Sequence, residues 1–208
     1  MASKATAVDR RRQILDAAVR VFARQGFHAT RVSDIADEAG VAYGLVYHYF
    51  PSKEAVLNEL FAERWSLLLG AIEEADGAGG PHRERLAAVA GFIVDSYRYD
   101  PNLMKVIIVE VTRAANSFGQ THLAEIRRAY ESIAKIVADG QKEGAFRTDI
   151  SPLFASMTFY GAVEQLLSGW IFEIVPGSPD DYERAKALVV ETICGGLEPR
   201  TGANGAAA

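Results

Sequence analysis

Apolar residues return along this chain at three- and four-residue steps, the period of helices, and clean alternation of apolar and polar positions appears nowhere. Between residues 10 and 26 the set Ile14, Leu15, Ala18, Val21 and Phe22 shares one face, with arginine and aspartate on the other. Gly26 stands where a C-terminal glycine cap belongs. A short apolar set follows (Val32, Ile35, Ala36, Ala39), then Gly40, then Leu45, Val46, Tyr49 and Phe50. Pro51 and Ser52 break the chain, and Ser52 is a good N-cap for a helix that begins at Lys53 and carries Val56, Leu57, Leu60, Phe61, Leu67 and Leu68. Beyond a glycine-rich linker from Asp76 to Pro81, the period predicts helices near 83–99, 102–115, 120–143 and 152–175. They are separated by Asp100-Pro101, Asn116-Ser117 and Gly144, and Ser151-Pro152 reads as an N-cap followed by proline at the first helical position. Ser178 and Pro179 repeat that signature, with Asp180 and Asp181 in the first turn of a last helix over 179–196. Val106–Val109 is apolar enough for a buried strand but lies inside a longer helical pattern. The expectation is an all-α chain of about nine helices, with residues 199–208 a disordered tail.

The segment from Val32 to Phe50 carries more than packing. Ala36, Gly40 and Val46 are spaced to suit two short helices crossing steeply: a small residue lets them approach, a glycine makes the turn, and a buried aliphatic locks the pair. This is a helix-turn-helix, a motif whose second helix, here about Ala42 to Tyr49, can lie in a DNA major groove. Leu45, Val46, Tyr49 and Phe50 compete for its inward face, which leaves Tyr43, Gly44, Tyr47 and His48 pointing out. Gly44 costs about 1 kcal/mol of helix stability against alanine, and a bare surface there makes sense where a phosphate or base edge must come close. Singly, Tyr47, Tyr49 and Phe50 fit a packing role equally well; the whole constellation fits it poorly.

Charge supports the same end of the chain. The 208 residues carry 22 basic and 27 acidic side chains, a net charge of −5, which argues against a polyanionic partner until the chain is divided. Residues 1–53 hold eight basic and five acidic side chains, so a basic end precedes an acidic remainder of −8. A charge run of this kind is more often a solvated face, so it matters only alongside the motif.

Other classes fall away. The most apolar region, Ile150–Val175, is cut by Glu164 and Glu173, so no membrane span is expected. The amino-terminal residues show no signal-peptide pattern, and a cytoplasmic protein is expected. The single Cys194 cannot form an internal disulfide, and the four histidines lack metal-ligand spacing. The glycine-rich linker has neither the strand nor the Lys-Ser/Thr ending of a phosphate loop, and no His-Glu-x-x-His, Gly-x-Ser-x-Gly or Cys-x-x-Cys occurs. No enzyme, catalytic residue, metal or cofactor is expected.

Residues 10–55 resemble the TetR family of bacterial transcriptional repressors. The resemblance rests on Phe22-Ala-Arg-Gln-Gly-Phe27, on Val32, Ile35, Ala36, Ala39, Gly40 and Val41, on Gly44, Tyr47, Tyr49 and Phe50, and on Lys53-Glu54. It implies a homodimer with a DNA-binding domain over 8–54 and a helical ligand-binding and dimerisation domain over 55–198. By position, Tyr43, Gly44 and His48 would meet bases or nearby backbone, while Tyr47, Tyr49, Lys53, Thr30, Arg31 and Ser33 would hold phosphates. Arg10, Arg11 and Arg12 would add phosphate contacts. Two residues depart from the family pattern. Ala42 replaces the usual serine or threonine, removing a side-chain cap and one phosphate hydrogen bond, and Arg31 replaces a small hydroxyl residue at the cap of the second helix. With no Arg, Asn or Gln between Ala42 and Phe50, specificity should lean on thymine methyls and DNA shape.

The body carries few special motifs, and core packing is the favoured role for each of its aromatic residues. A regulator of this family needs an effector site between helices, for which Phe92, Tyr97, Met104, His122 and Trp170 are the candidates. The resemblance places the dimer interface in the last two helices, 152–175 and 179–196. The stretch Glu143–Asp149, with Gly161, Ala162, Val163, Glu164, Gln165 and Trp170, is similar to TetR-type regulators of fatty-acid degradation, which implies a small hydrophobic effector such as a fatty acyl-CoA. The reading is a ligand-responsive repressor that binds a near-palindromic double-stranded operator. The alternatives are an all-α small-molecule carrier or enzyme using the same pocket, and a helical adaptor whose helix-turn-helix meets protein.

Overall fold

The computed structural model describes residues 7–111 and 122–199. Among these are nine α-helices, one π-helical stretch and no strand. The helices are α1 (Ala7–Gln25), α2 (Val32–Ala39), α3 (Tyr43–Tyr49), α4 (Lys53–Gly77), α5 (His82–Tyr99), α6 (Pro101–Val106), α7 (Leu123–Lys142), α8 (Pro152–Ile171) and α9 (Pro179–Leu197), and the π-helical stretch is Ile107–Val111. The expected break at Asn116-Ser117 and all but the first residue of the expected tail lie outside the described residues. No helix among the described residues is long and apolar enough to cross a membrane.

The chain divides into two compact units, one of residues 1–65 and 99–122, the other of 66–98 and 123–208. The division falls inside α4, since Pro51-Ser52 is the last breaker before residue 77 and nothing interrupts the helix at residue 55.

In the first unit α1 is the axle. Its face of Ile14, Leu15, Ala18 and Phe22 is sealed against Ile35, Ala36 and Ala39 of α2, Val46 of α3, Phe50, Val56, Leu57 and Leu60 of α4, and Val106. Burying a side chain of this size is worth about 1.5–3 kcal/mol, so this shared core is what holds the short helices α2 and α3, which could not persist alone. The residues 106–109 that resembled a strand are helical, the end of α6 and the start of the π-helical stretch; α6 is capped by Asp100, whose carboxylate accepts from the Leu103 N–H at 2.9 Å, with Pro101 in the first turn.

In the second unit α7 packs along α8, and α9 packs on α8. Ser178 caps α9 reciprocally, its hydroxyl accepting from the Asp181 N–H at 3.2 Å while Asp181 accepts from the Ser178 N–H at 3.0 Å. Ser151 occupies the N-cap position of α8, but its side chain makes no cap bond. The expected helix 152–175 ends early, at Ile171. Glu173 takes the left-handed conformation at φ 56°, and the Ile174 N–H turns back to the Gly169 carbonyl at 2.8 Å. The Trp170 indole N–H then donates to the Pro176 carbonyl at 2.9 Å, fixing the descending turn.

Candidate nucleic-acid interface

The turn between α2 and α3 is built as its spacing requires. Gly40 sits at φ 63°, a left-handed conformation that a residue with a Cβ adopts at a cost, and the Val41 N–H reaches the Ala36 carbonyl at 3.0 Å. Ala36, Ala39 and Val46 are buried at the crossing. From α1, the Gln13 amide donates to the Ala39 carbonyl at 2.6 Å and so satisfies an end carbonyl of α2.

Arg31 occupies the N-cap position of α2 and cannot accept a cap bond through its guanidinium. Asp34 supplies the cap instead: its carboxylate accepts from the Arg31 N–H at 2.8 Å and from the Gln25 amide at 2.9 Å. The Arg31 backbone bond, joined by Gln25, holds the Asp34 carboxyl below its ordinary range. Glu38, on the same helix, is held low by Arg20 and then Arg24, which clamp it at 2.7 Å and 3.2 Å and so tie α1 to α2.

On α3 the outward set is as its helical phase requires. Tyr43, Gly44, Tyr47 and His48 are exposed, Leu45 and Tyr49 are half-buried, and Val46 and the following Phe50 are buried. Ala42 forms the N-cap with no side-chain bond. The Tyr43 and Tyr47 rings meet edge to face, centroids 5.0 Å apart, and the Tyr43 hydroxyl donates to the Tyr47 oxygen at 3.1 Å. His48 lies edge-on against Tyr49 at 5.1 Å. A Cβ at Gly44 would meet none of the described residues within 4 Å, so packing among them does not explain the glycine.

Several residues expected to reach phosphate are engaged inward. Thr30 is only 2% exposed, and its hydroxyl donates to the Gly26 carbonyl at 2.7 Å while its N–H bonds the Phe27 carbonyl. The Lys53 ammonium donates to the carbonyls of Phe27, His28 and Thr30 at 2.8, 3.2 and 2.9 Å. It also lies 4.6 Å from the centre of the Phe27 ring, so all three of its protons are spent on the turn that leads into α2. Arg11 lies over Phe50 and pairs with Glu59, while Arg12 pairs with Asp16 and Glu63. The basic excess of residues 1–53 is therefore largely answered by Glu59 and Glu63, which stand just beyond that boundary. Arg31 and Ser33 remain toward the surface with the α3 set. The partners Gln13, Phe27, Glu59 and Glu63 were not legible in advance, because their roles depend on how helices cross.

The expected effector residues divide between the units. In the first, Met104 sulfur lies 3.2 Å from the Arg64 Nε, and His122 packs on Phe61 with Nε2 3.3 Å from the Asn58 amide oxygen. In the second, Tyr97 and Trp170 stack at 5.6 Å, and Tyr182 closes on both. Phe92 is half-buried on α5. Burial pushes the Tyr97 hydroxyl above its ordinary pKa. Among the described residues no group of three or more His, Cys, Asp or Glu side chains could hold a metal.

Comparison with known proteins assigns this arrangement. Residues 14–60 match the family described as bacterial regulatory proteins, tetR family, and residues 83–193 match a tetracyclin repressor-like C-terminal domain. The fatty acid metabolism regulator protein of Bacillus subtilis is 32% identical over 160 residues, covering 76% of this chain and 82% of that protein. The transcriptional repressor KstR2 of Rhodococcus jostii is 31% identical over 142 residues, 68% of this chain and 70% of its own. The crystal structure of the Bacillus subtilis regulator FadR in complex with stearoyl-CoA superposes with a TM-score of 0.79 at 28% identity, covering 90% of this chain and 99% of that one. A helix-turn-helix with an open aromatic face, followed by a matching regulatory domain, thus places the chain in the TetR family of bacterial transcriptional regulators.

Proposed function

We propose that this regulator is a homodimeric repressor that binds a near-palindromic operator through α3 and leaves it when a hydrophobic effector, a fatty acyl-CoA, is bound. The observation that carries the DNA reading is the exposed Tyr43-Gly44-Tyr47-His48 face, held outward by a fully buried Val46 and a glycine turn. Its contacts divide into Gly44 and His48 toward bases, and Arg31, Ser33, Tyr47, Tyr49 and the Ala42 backbone toward phosphates, with Tyr43 on the same face bonded to Tyr47. Thr30 and Lys53 act one step back, by holding the turn that presents Arg31 and Ser33.

The dimer reading rests on apolar surface. Among the described residues, more than half of the large exposed apolar side chains fall within 152–175 and 179–196, among them Phe154, Met157, Ile174 and Leu188. Of these, Ile174, Val175 and Leu188 line an apolar groove of about 450 Å³ between α8 and α9, together with Ala162, Leu166 and Ile193. Contiguous apolar surface of this kind marks an interface, and a two-fold axis would set the two α3 helices about one DNA turn, roughly 34–36 Å, apart.

The effector reading rests on the relatives, one a fatty acid metabolism regulator and one bound to stearoyl-CoA. Tyr97 and Trp170, which stack in the second unit, and Phe92 of the same unit are the residues proposed to meet it. The chain performs no chemistry in this reading: binding shifts a population between DNA-competent and DNA-incompetent forms. The protein would meet its operator in the cytoplasm. The test is a salt-dependent mobility shift on the chain's own upstream region, then titration with acyl-CoAs of increasing length. Shift of the duplex and its release by long-chain acyl-CoA are expected; no binding at low ionic strength would overturn the DNA reading, and binding indifferent to every acyl-CoA would overturn the effector.

A further inference from the structure

Tyr43 and Tyr47 stand one helical turn apart on the outward face of α3, 53% and 43% exposed, yet their hydroxyls are turned to each other. Two hydroxyls bring two protons. The Tyr43 proton is spent on the Tyr47 oxygen at 3.1 Å, so only the Tyr47 proton remains to be donated outward. The edge-to-face contact at 5.0 Å and 71° holds the two rings in that register.

Resting on the DNA reading above, we propose that Tyr43 and Tyr47 work as one donor: Tyr47 gives its proton to a backbone phosphate oxygen, and Tyr43 is the positioning residue that aims and polarises it. Helical side chains lean toward the N-terminus, which carries the Tyr47 hydroxyl back over the first turn of α3. Gly44 lies three residues before Tyr47 and leaves open space where a Cβ would stand, so a phosphate can approach the pair there. A hydroxyl that accepts one bond donates the next more strongly, so the outward bond is stronger with Tyr43 in place. With Lys53 and Thr30 committed to the turn, this relay gives α3 a neutral phosphate anchor.

The experiment is a double-mutant cycle on the full chain, using a duplex that the wild type selects from a random pool. Tyr47→Phe should weaken binding about ten-fold or more, and Tyr43→Phe about three-fold. The double variant should bind like Tyr47→Phe within about two-fold, because the Tyr43 hydroxyl acts only through Tyr47. Each change removes one exposed oxygen, and unchanged circular dichroism confirms that α3 stands. In the free protein, ¹³C-tyrosine NMR should show the Tyr47 ring carbon that bears the hydroxyl shifting in Tyr43→Phe as the bond to its oxygen is lost, which a purely steric Tyr43 would not produce. Additive losses, or a changed base preference in Tyr43→Phe alone, would mean that Tyr43 touches DNA itself and would overturn the proposal. Failure of the wild type to select any duplex would instead remove the DNA reading.

Discussion

Replacing Lys53 with methionine keeps the apolar stem and removes only the ammonium, which isolates what that charge does. The structure spends its three N–H groups on the carbonyls of Phe27, His28 and Thr30 at 2.8, 3.2 and 2.9 Å. A hydrogen bond with one charged partner is worth about 1.5–3 kcal/mol, but the His28 carbonyl is exposed and water will replace that bond at little cost. The other two bonds are partly buried, and the contact with the Phe27 ring adds about 0.5–1 kcal/mol. Allowing for partial rehydration, the loss is about 2 kcal/mol, roughly 4–8 °C in melting temperature for a chain of this size. Hydrogen exchange gives the local measurement: the amides of Gly26, Thr30, Asp34 and Ile35 should lose protection, since their bonds belong to the turn Lys53 ties or to the start of α2. Lys53→Arg should not restore them, because a planar guanidinium cannot direct three N–H groups at converging carbonyls. If Lys53→Met leaves melting and exchange unchanged while lowering the salt slope of DNA binding by about one, the lysine holds a phosphate and the reasoning fails.

Gly44→Ala should stabilise the fold by up to about 1 kcal/mol of helix propensity, seen as a higher melting temperature, while weakening operator binding, since no described residue lies within 4 Å of the new Cβ; equal or tighter binding in a titration would refute the close approach. Asp34→Asn should lower stability at neutral pH. The folded Asp34 pKa is depressed, so its charge stabilises above the ordinary aspartate range and that contribution fades as pH falls through it. The gap to wild type in chemical denaturation should therefore close in acid, and a constant gap would refute the cap. Gly140→Ala puts a Cβ 2.5 Å from Phe146 Cδ2 and 3.1 Å from His82 Cγ, so a loss of about 1–3 kcal/mol is expected, partly recovered by Phe146→Leu in calorimetry. Leu188→Glu places a charge on a side chain 58% exposed beside the α8–α9 groove; light scattering should report a monomer, and a persistent dimer would move the interface elsewhere.

The sequence by itself determined the helices and the turn. Their signals are local: a 3.6-residue apolar period around Ile14 to Phe22, a breaker at Pro51, a cap at Ser178 and a glycine at Gly40, each of which acts within a few residues of chain. The phase of α3 was equally legible, because burying Val46 forces Tyr43, Gly44, Tyr47 and His48 outward. Only the tertiary structure decided what the polar side chains do. A lysine, a threonine or a row of arginines carries the same hydrogen-bonding groups whether it faces DNA or its own backbone. The choice depends on partners 23 to 26 residues from Lys53 and on acids such as Glu63, 51 residues from Arg12, which meet only when α1 and α4 cross. The early end of α8 has the same origin, since Glu173 turns left-handed for bonds made by Ile174 and Trp170, and nothing in the helical period marks that position.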